Sequence, residues 1–256
     1  MYLENKVAVI TGGAKGMGRG IALKFAEEGA DIVLCDLDEV GCQSVAREVE
    51  ALGRRALPCK MDITDAAAID AMVVATLEKL GTIDVLINCA GGVPGTHGGG
   101  NTDHINREEW DRIIAINLTG TFHVTQSVVP DMVDAKWGRI VNISSSSAQT
   151  GAVMMAPYSA SKGGMIALTK TLALELGPLG ITVNTIPPGA IDTPMSRRAA
   201  SEGRFGGGTL EDVGRHLPVK RIGIPEDIAA ACAYLVSDEA GYVTGQIIGV
   251  NGGRVT

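Results

Sequence analysis

Short apolar, β-branched runs alternate with longer stretches of helical periodicity along almost the whole chain. Val7–Thr11, Asp31–Asp36, Arg55–Met61, Ile83–Asn88, Gly138–Ser144, Ile181–Ile186 and Gln246–Val250 read as seven strands. Their near-continuous apolarity suits strands covered on both faces. Between them lie helical patterns: one through Ile21, Ala22, Phe25 and Ala26 to Gly29, one over Asp38–Leu52, and one over Ala66–Leu80. A longer helix is expected from about Arg107 to Lys136, another carries Tyr158, and a last one opens at Pro225, a favoured first-turn residue. The alternation predicts a single α/β domain spanning residues 1–256.

Two segments break the pattern. Gly92 to Asp103 is glycine-rich and follows the fourth strand, where it is expected to form a mobile rim of a substrate site. Residues from about 193 to 218 lack clean periodicity and contain Gly206-Gly207-Gly208, so they are expected to form a lid with a glycine hinge. Asn117 in the middle of the long helix is a poor helix former. Its presence predicts a functional role or a local irregularity, with a satisfied core amide as the plainer reading.

Composition narrows the function classes. A net charge of −7 disfavours a nucleic-acid or anionic-membrane surface. No apolar run approaches the roughly 18 residues a membrane helix needs, and, with no basic region followed by an apolar stretch and a cleavage site at the start of the sequence, no export signal is expected. The five cysteines (Cys35, Cys42, Cys59, Cys89 and Cys232) form no C-x-x-C pair, and the four histidines are scattered. Free thiols, a cytoplasmic location and no metal are the expectation.

The first strand runs straight into Gly12-Gly13-Ala14-Lys15-Gly16-Met17-Gly18 and then a helix. Glycines there let the chain turn and let backbone approach a pyrophosphate, while the helix start offers free N–H groups. The second strand ends in Asp36, eighteen residues beyond Gly18, close to where such folds bind ribose hydroxyls. Capping the helix that begins at Asp38 is the alternative for Asp36. A carboxylate at this place repels a 2′-phosphate and favours NAD over NADP. Lys15 pulls the other way, and Leu37 adds no second cation. Asp62 could accept from an adenine amino group or cap the next helix.

The densest chemistry lies between Ser144 and Lys162. Tyr158 and Lys162 are four apart and share one helix face. A phenol titrates near pH ~10, too high for a general base at neutral pH, and a nearby ammonium is expected to pull it down. Ser145 would offer a hydroxyl to the same substrate oxygen from the end of the fifth strand. Tyr2 and Lys6 repeat the spacing without such a serine, so the spacing alone is weak. The apolar stretch Ala152–Ala156 would flank the reacting carbon and suggests a substrate with some apolar body.

Taken together, these residues resemble the short-chain dehydrogenase/reductase family from Lys6 to Gly253. Thr11-Gly12 through Gly16 and Gly18 is similar to its cofactor loop. Asn88-Cys89-Ala90-Gly91 is similar to its N-N-A-G stretch. Asn117, Ser145, Tyr158 and Lys162 resemble its catalytic tetrad. Pro188-Gly189 with Ile191 and Thr193 resembles its nicotinamide-amide segment. Arg221 through Ala229 and Thr244 through Gly253 resemble its C-terminal signatures. Cys89 departs from the second asparagine of N-N-A-G, and Pro187 adds a second proline before glycine. Lys15 stands where longer epimerase-type relatives need glycine.

The resemblance implies a doubly wound Rossmann fold with seven parallel strands and a homotetramer built on the Asn117 and Tyr158 helices. It implies cofactor contacts from Gly12, Lys15, Gly16, Met17, Gly18, Asp36, Leu37, Asp62, Ile63, Asn88, Ala90, Gly91, Tyr158, Lys162, Pro188, Gly189, Ile191 and Thr193. Tyr158 would act as general acid/base, Lys162 would tune it and bind the nicotinamide ribose, Ser145 would orient the substrate, and Asn117 would hold a relay water. The expected function is hydride transfer between NAD and a secondary alcohol or ketone. Two alternatives stay open: a 3-oxoacyl-thioester reductase using NADPH, and a non-catalytic nucleotide-sensing binding protein.

Overall fold

A computed structural model describes residues 1–92, 102–203 and 208–256. Six parallel strands form one sheet in the order β3-β2-β1-β4-β5-β6: β1 Val7–Thr11, β2 Asp31–Asp36, β3 Ala56–Lys60, β4 Val85–Asn88, β5 Gly138–Ile143 and β6 Ile181–Ile186. The helices are α1 Gly16–Glu27, α2 Glu39–Ala51, α3 Ala66–Leu80, α4 Arg107–Ile114, α5 Gly120–Ala135, α6 Ser147–Thr150, α7 Ala156–Leu176, α8 Pro194–Ser201, α9 Leu210–His216 and α10 Pro225–Leu235.

Strand alternation builds a core on each face. Ala8 and Ile10 of β1 join Ile21 and Phe25 of α1, Val45 and Val49 of α2, and Ile228 and Cys232 of α10. Val7 and Val9 turn the other way, to Ile69 and Met72 of α3, Val124 and Val128 of α5, and Leu172 of α7. Successive side chains point to opposite faces, so each strand feeds both layers. The chain reverses winding direction between β1 and β4, and that crevice lies at the strands' carboxyl ends, where open sheets of this kind bind ligands.

The expected seventh strand is not a strand. Residues 246–250 pair with β6 and its extension as two isolated bridges, Thr185 with Ile247 and Pro188 with Val250. Thr185 donates to Gln246 O and Ile248 donates to Thr185 O, both at 2.9 Å. The next donor in that ladder would be residue 187, a proline with no N–H. Pairing resumes only at Gly189, whose N–H donates to Val250 O at 3.1 Å. The extra proline noted in the sequence therefore interrupts the sheet.

The long helix also departs from regularity. Between α4 and α5 the chain makes one π-helical turn, Ala115–Thr119, centred on Asn117. Thus the asparagine marks the irregularity expected of it, and such widened turns gather at functional sites. The segment after Thr193 holds α8 and α9, each opened by a reciprocal capping box, Thr193 with Ser196 and Thr209 with Asp212. The glycine-rich rim falls mostly on residues 93–101, and Gly206 and Gly207 of the expected hinge fall in 204–207; both stretches lie outside the described residues. Among the described residues, no helix is long and apolar enough to cross a membrane.

Candidate active site

The glycine loop closes over the carboxyl ends of β1 and β2. Gly12 and Gly13 donate to Cys35 O at 2.7 and 3.2 Å. Gly12 has φ +71°, and a Cβ there would lie 2.9 Å from the Ala90 backbone, so only glycine lets the two strand ends meet. A Cβ at Gly18 would fall on the Gly12 carbonyl oxygen. Gly16 packs beside Thr193, whose methyl is 3.4 Å from where a Cβ would stand. The first turn of α1, containing Gly16, Met17 and Gly18, receives no side-chain cap from Lys15. Uncapped N–H groups at a helix start are anion donors.

Asp36 does not cap α2. Asp38 does, accepting from Gly41 N at 2.9 Å. Asp36 instead accepts from Ala14 N in the glycine loop at 3.2 Å and from Asp38 N at 3.1 Å. A carboxylate has about four acceptor positions, so two stay available for ribose hydroxyls. Leu37 is exposed beside it. Lys15 Nζ stands 3.7 Å from Asp38 Oδ2. Asp62 holds Thr64 through its N–H and hydroxyl at 2.8 and 2.7 Å, while Asp65 caps α3. The capping alternative fails for Asp62 as well. Ile63 is buried, with its side chain on Gly120 at the start of α5, which leaves only its backbone for a ligand.

β4 and the turn after it line the middle of the crevice. Thr11 Oγ1 accepts from Cys89 N and Ala90 N at 3.1 and 3.0 Å, clamping β1 to β4. The Asn88 side chain faces inward, donating to Thr125 Oγ1 at 3.0 Å and Asn142 Oδ1 at 2.8 Å. Asn142 donates in turn to Thr169 Oγ1 on α7 at 2.9 Å. This buried chain joins α5 and α7 through the sheet, and spacing along the sequence carried no signal for it. Cys89, the departure from N-N-A-G, keeps its backbone bond to Thr11, and burial pushes its thiol up to about 11.

Asn117, Lys162 and Gly91 meet behind this turn. The Asn117 side chain donates to Gly92 O and Ile113 O at 2.8 and 3.0 Å and accepts from Gly92 N at 2.9 Å. A Cβ on Gly91 would lie 2.6 Å from Asn117 Oδ1 and 3.3 Å from Lys162 Nζ. Lys162 is 3% exposed and donates to Ile143 O at 2.8 Å. Burial lowers its pKa to about 8.

Tyr158 lies one turn before Lys162 on α7, with the ammonium 5.9 Å from its ring centre. Desolvation raises the phenol above its ordinary value, and a hydrogen bond with Ser145 opposes the rise. The expected net lowering does not occur, because desolvation outweighs it; the Lys162 ammonium turns to the Ile143 carbonyl. Ser145 also accepts from Ser147 N and Oγ at 3.2 and 2.9 Å. The Pro188 carbonyl accepts from Ser146 N at 3.0 Å, Ile191 is buried, and Thr193 caps α8. The loop, Asp36, the tetrad and the 188–193 segment thus border one crevice.

The family model described as enoyl-(acyl carrier protein) reductase matches residues 12–254. The chain is 41% identical over 254 residues to a hydroxy(phenyl)methylsuccinyl-CoA dehydrogenase subunit of Thauera aromatica, covering 99% of this chain and 98% of that one. The chain belongs to the short-chain dehydrogenase/reductase family. It is 40% identical over 255 residues to the 3-oxoacyl-acyl-carrier-protein reductase FabG of Thermotoga maritima, covering both chains completely. Its fold matches NAD+-bound xylitol dehydrogenase with a TM-score of 0.92, at 30% identity, over 99% of this chain and 100% of that one. As a member of this family it is an oxidoreductase of CH–OH and keto groups that uses a nicotinamide dinucleotide.

Proposed function

We propose that this enzyme transfers hydride between NAD(H) and a secondary alcohol or ketone, with Tyr158 as the general acid/base. The observation that carries the reading is the convergence of Lys162 Nζ and Asn117 Oδ1 on Gly91, with the Tyr158 ring one helical turn before Lys162 and 5.9 Å from its ammonium. The chain's own groups suit a dinucleotide: an uncapped α1 start for the pyrophosphate, and Asp36 with free acceptor positions for an adenosine ribose.

When bound, the cofactor supplies the hydride acceptor or donor. Every other task falls to side chains. Ser145 orients the substrate oxygen, and Tyr158 removes a proton from an alcohol or gives one to a ketone at that oxygen. Lys162 binds the nicotinamide ribose and stabilises the phenolate once it forms. Asn117, locked to Gly92 in its π turn, keeps the lysine's surroundings fixed and holds a relay water. Gly12 to Gly18, Asp62, Ile63, Ala90 and residues 188–193 complete the cofactor cleft.

NAD is favoured over NADP because Asp36 is held at the crevice by two backbone N–H groups and repels a 2′-phosphate. We further propose a single domain, a homotetramer and a cytoplasmic location. A second reading is favoured by the relatives: two of them, at 41% and 40% identity, carry names of enzymes for CoA or carrier-protein thioesters. A β-hydroxyacyl or 3-oxoacyl thioester is therefore the first substrate to try. An absorbance assay with NADH and NADPH against such thioesters, simple secondary alcohols and polyols tests both readings. Turnover of a thioester but not of simple alcohols selects the second reading. Tight NADH binding with no turnover across the whole panel overturns both.

A further inference from the structure

The glycine loop carries a cation, Lys15, that would suit a 2′-phosphate, and the strand beside it ends in an acid, Asp36, that would repel one. Two neighbours therefore make opposite demands on the same adenosine ribose. The structure supplies a third group between them. Asp38 Oδ2 stands 3.7 Å from Lys15 Nζ, and both side chains are substantially exposed at the crevice mouth. The other Asp38 oxygen is occupied, accepting from Gly41 N at 2.9 Å as the cap of α2. Asp38 N donates to Asp36 Oδ1 at 3.1 Å, so the two carboxylates are tied through one peptide unit.

We infer that Asp38 is a cofactor-selectivity residue: it occupies Lys15 and cancels the one cation of the glycine loop that a 2′-phosphate could use. Geometry favours this over an incidental surface pair. Asp38 has non-helical backbone angles, φ −84° and ψ 83°, and its cap bond to Gly41 restrains the carboxylate. A Cβ on Gly41 would lie 2.9 Å from Asp38 Oδ2, so glycine at position 41 gives that oxygen room to lean towards the loop. Lys15 is the α1 cap residue in extended conformation, φ −163°, and its side chain gives no cap bond to its own helix. An ammonium cannot accept from helix N–H groups in any case, so it pairs with an anion, and the anion present belongs to the protein. The inference rests on the NAD preference proposed above, and it adds that Asp36 does not act alone.

The test separates the two. Asp38→Asn keeps an oxygen for Gly41 N and removes the charge, so α2 stays capped. The readout is the ratio of kcat/KM with NADPH to that with NADH, for the wild type, Asp38→Asn, Lys15→Ala and the double variant. Asp38→Asn is expected to raise the ratio about tenfold, the lower end of what a charged hydrogen-bond partner contributes. The rise should vanish when Lys15 is also alanine, because no cation is then released. An unchanged ratio in Asp38→Asn, or the same rise with and without Lys15, overturns the inference. A wild type that already prefers NADPH would overturn the NAD reading instead, and the dependence of the Asp38→Asn effect on Lys15 would still decide the role of Asp38. Inhibition by adenosine 2′,5′-bisphosphate supplies a second measure without turnover: tighter binding to Asp38→Asn than to wild type is expected, and equal binding counts against the pair.

Discussion

Lys162 Nζ lies 5.9 Å from the centre of the Tyr158 ring and hydrogen-bonds the Ile143 carbonyl, 2.8 Å away. The lysine therefore stands within electrostatic reach of the phenol while anchored to the end of β5. Desolvation dominates both groups here, raising the phenol and lowering the ammonium. In each case burial disfavours the charged form.

Tyr158→Phe should abolish turnover while leaving fold and NADH binding in place, because only the proton-transferring oxygen is lost. The drop expected for a general acid/base is at least about 10²-fold in kcat. Steady-state rates beside NADH fluorescence titration check it; near wild-type turnover would remove Tyr158 from the mechanism.

Lys162→Met should inactivate the enzyme and stabilise the ligand-free protein at pH 7. The gain is on the order of 3 kcal/mol, from the cost of burying an ammonium whose pKa falls from 10.5 to about 8. The unfolded lysine binds more protons than the folded one between those values. Wild-type stability should therefore rise as pH increases from about 8 towards 10.5, to the extent that Lys162 governs it. Urea titrations of wild type and Lys162→Met across this range should converge as pH rises. Curves that stay parallel would contradict the assignment.

Thr169→Val should cost about 1–3 kcal/mol, the penalty of leaving a buried amide donor on Asn142 without its acceptor. Thr169→Ser restores the hydroxyl and should recover most of the loss. Because Asn142 also accepts from Asn88, the valine variant should loosen α7 against β5. Amide exchange along α7 would report that loosening, and equal stability of the two variants would show the bond to be dispensable.

Gly18→Ala should destabilise the fold by roughly 3 kcal/mol or more, because the new methyl collides with backbone and not with a movable side chain. The obstacle is the Gly12 carbonyl oxygen. Both strand and loop would have to shift, so dinucleotide affinity should fall in parallel. Thermal melting and NADH titration of the variant check the two effects together.

Much of this protein was legible one segment at a time. The strands β1, β2 and β6 match their apolar runs residue for residue, and α3 matches its periodic stretch, because local patterning sets which faces seek cover. The motif residues likewise stood out, since Gly12 to Gly18, Ser145, Tyr158 and Lys162 act through short spacings on one turn or helix face. The capping box Thr209-x-x-Asp212 was also readable in principle, and would have predicted α9.

Pairings between distant segments could not be read that way. Sequence spacing does not say that Asp38 reaches Lys15, that Thr11 clamps Cys89 and Ala90, or that Asn88, Asn142, Thr125 and Thr169 join two helices through the sheet. Nor did an apolar run at 246–250 reveal that Pro187, sixty residues earlier, would withhold the donor a seventh strand needs. Local sequence determined which elements form and which side chains share a face. The choice of hydrogen-bond partner, and the charge each ionisable group feels, were decided only when the tertiary fold brought remote backbone and side chains into contact.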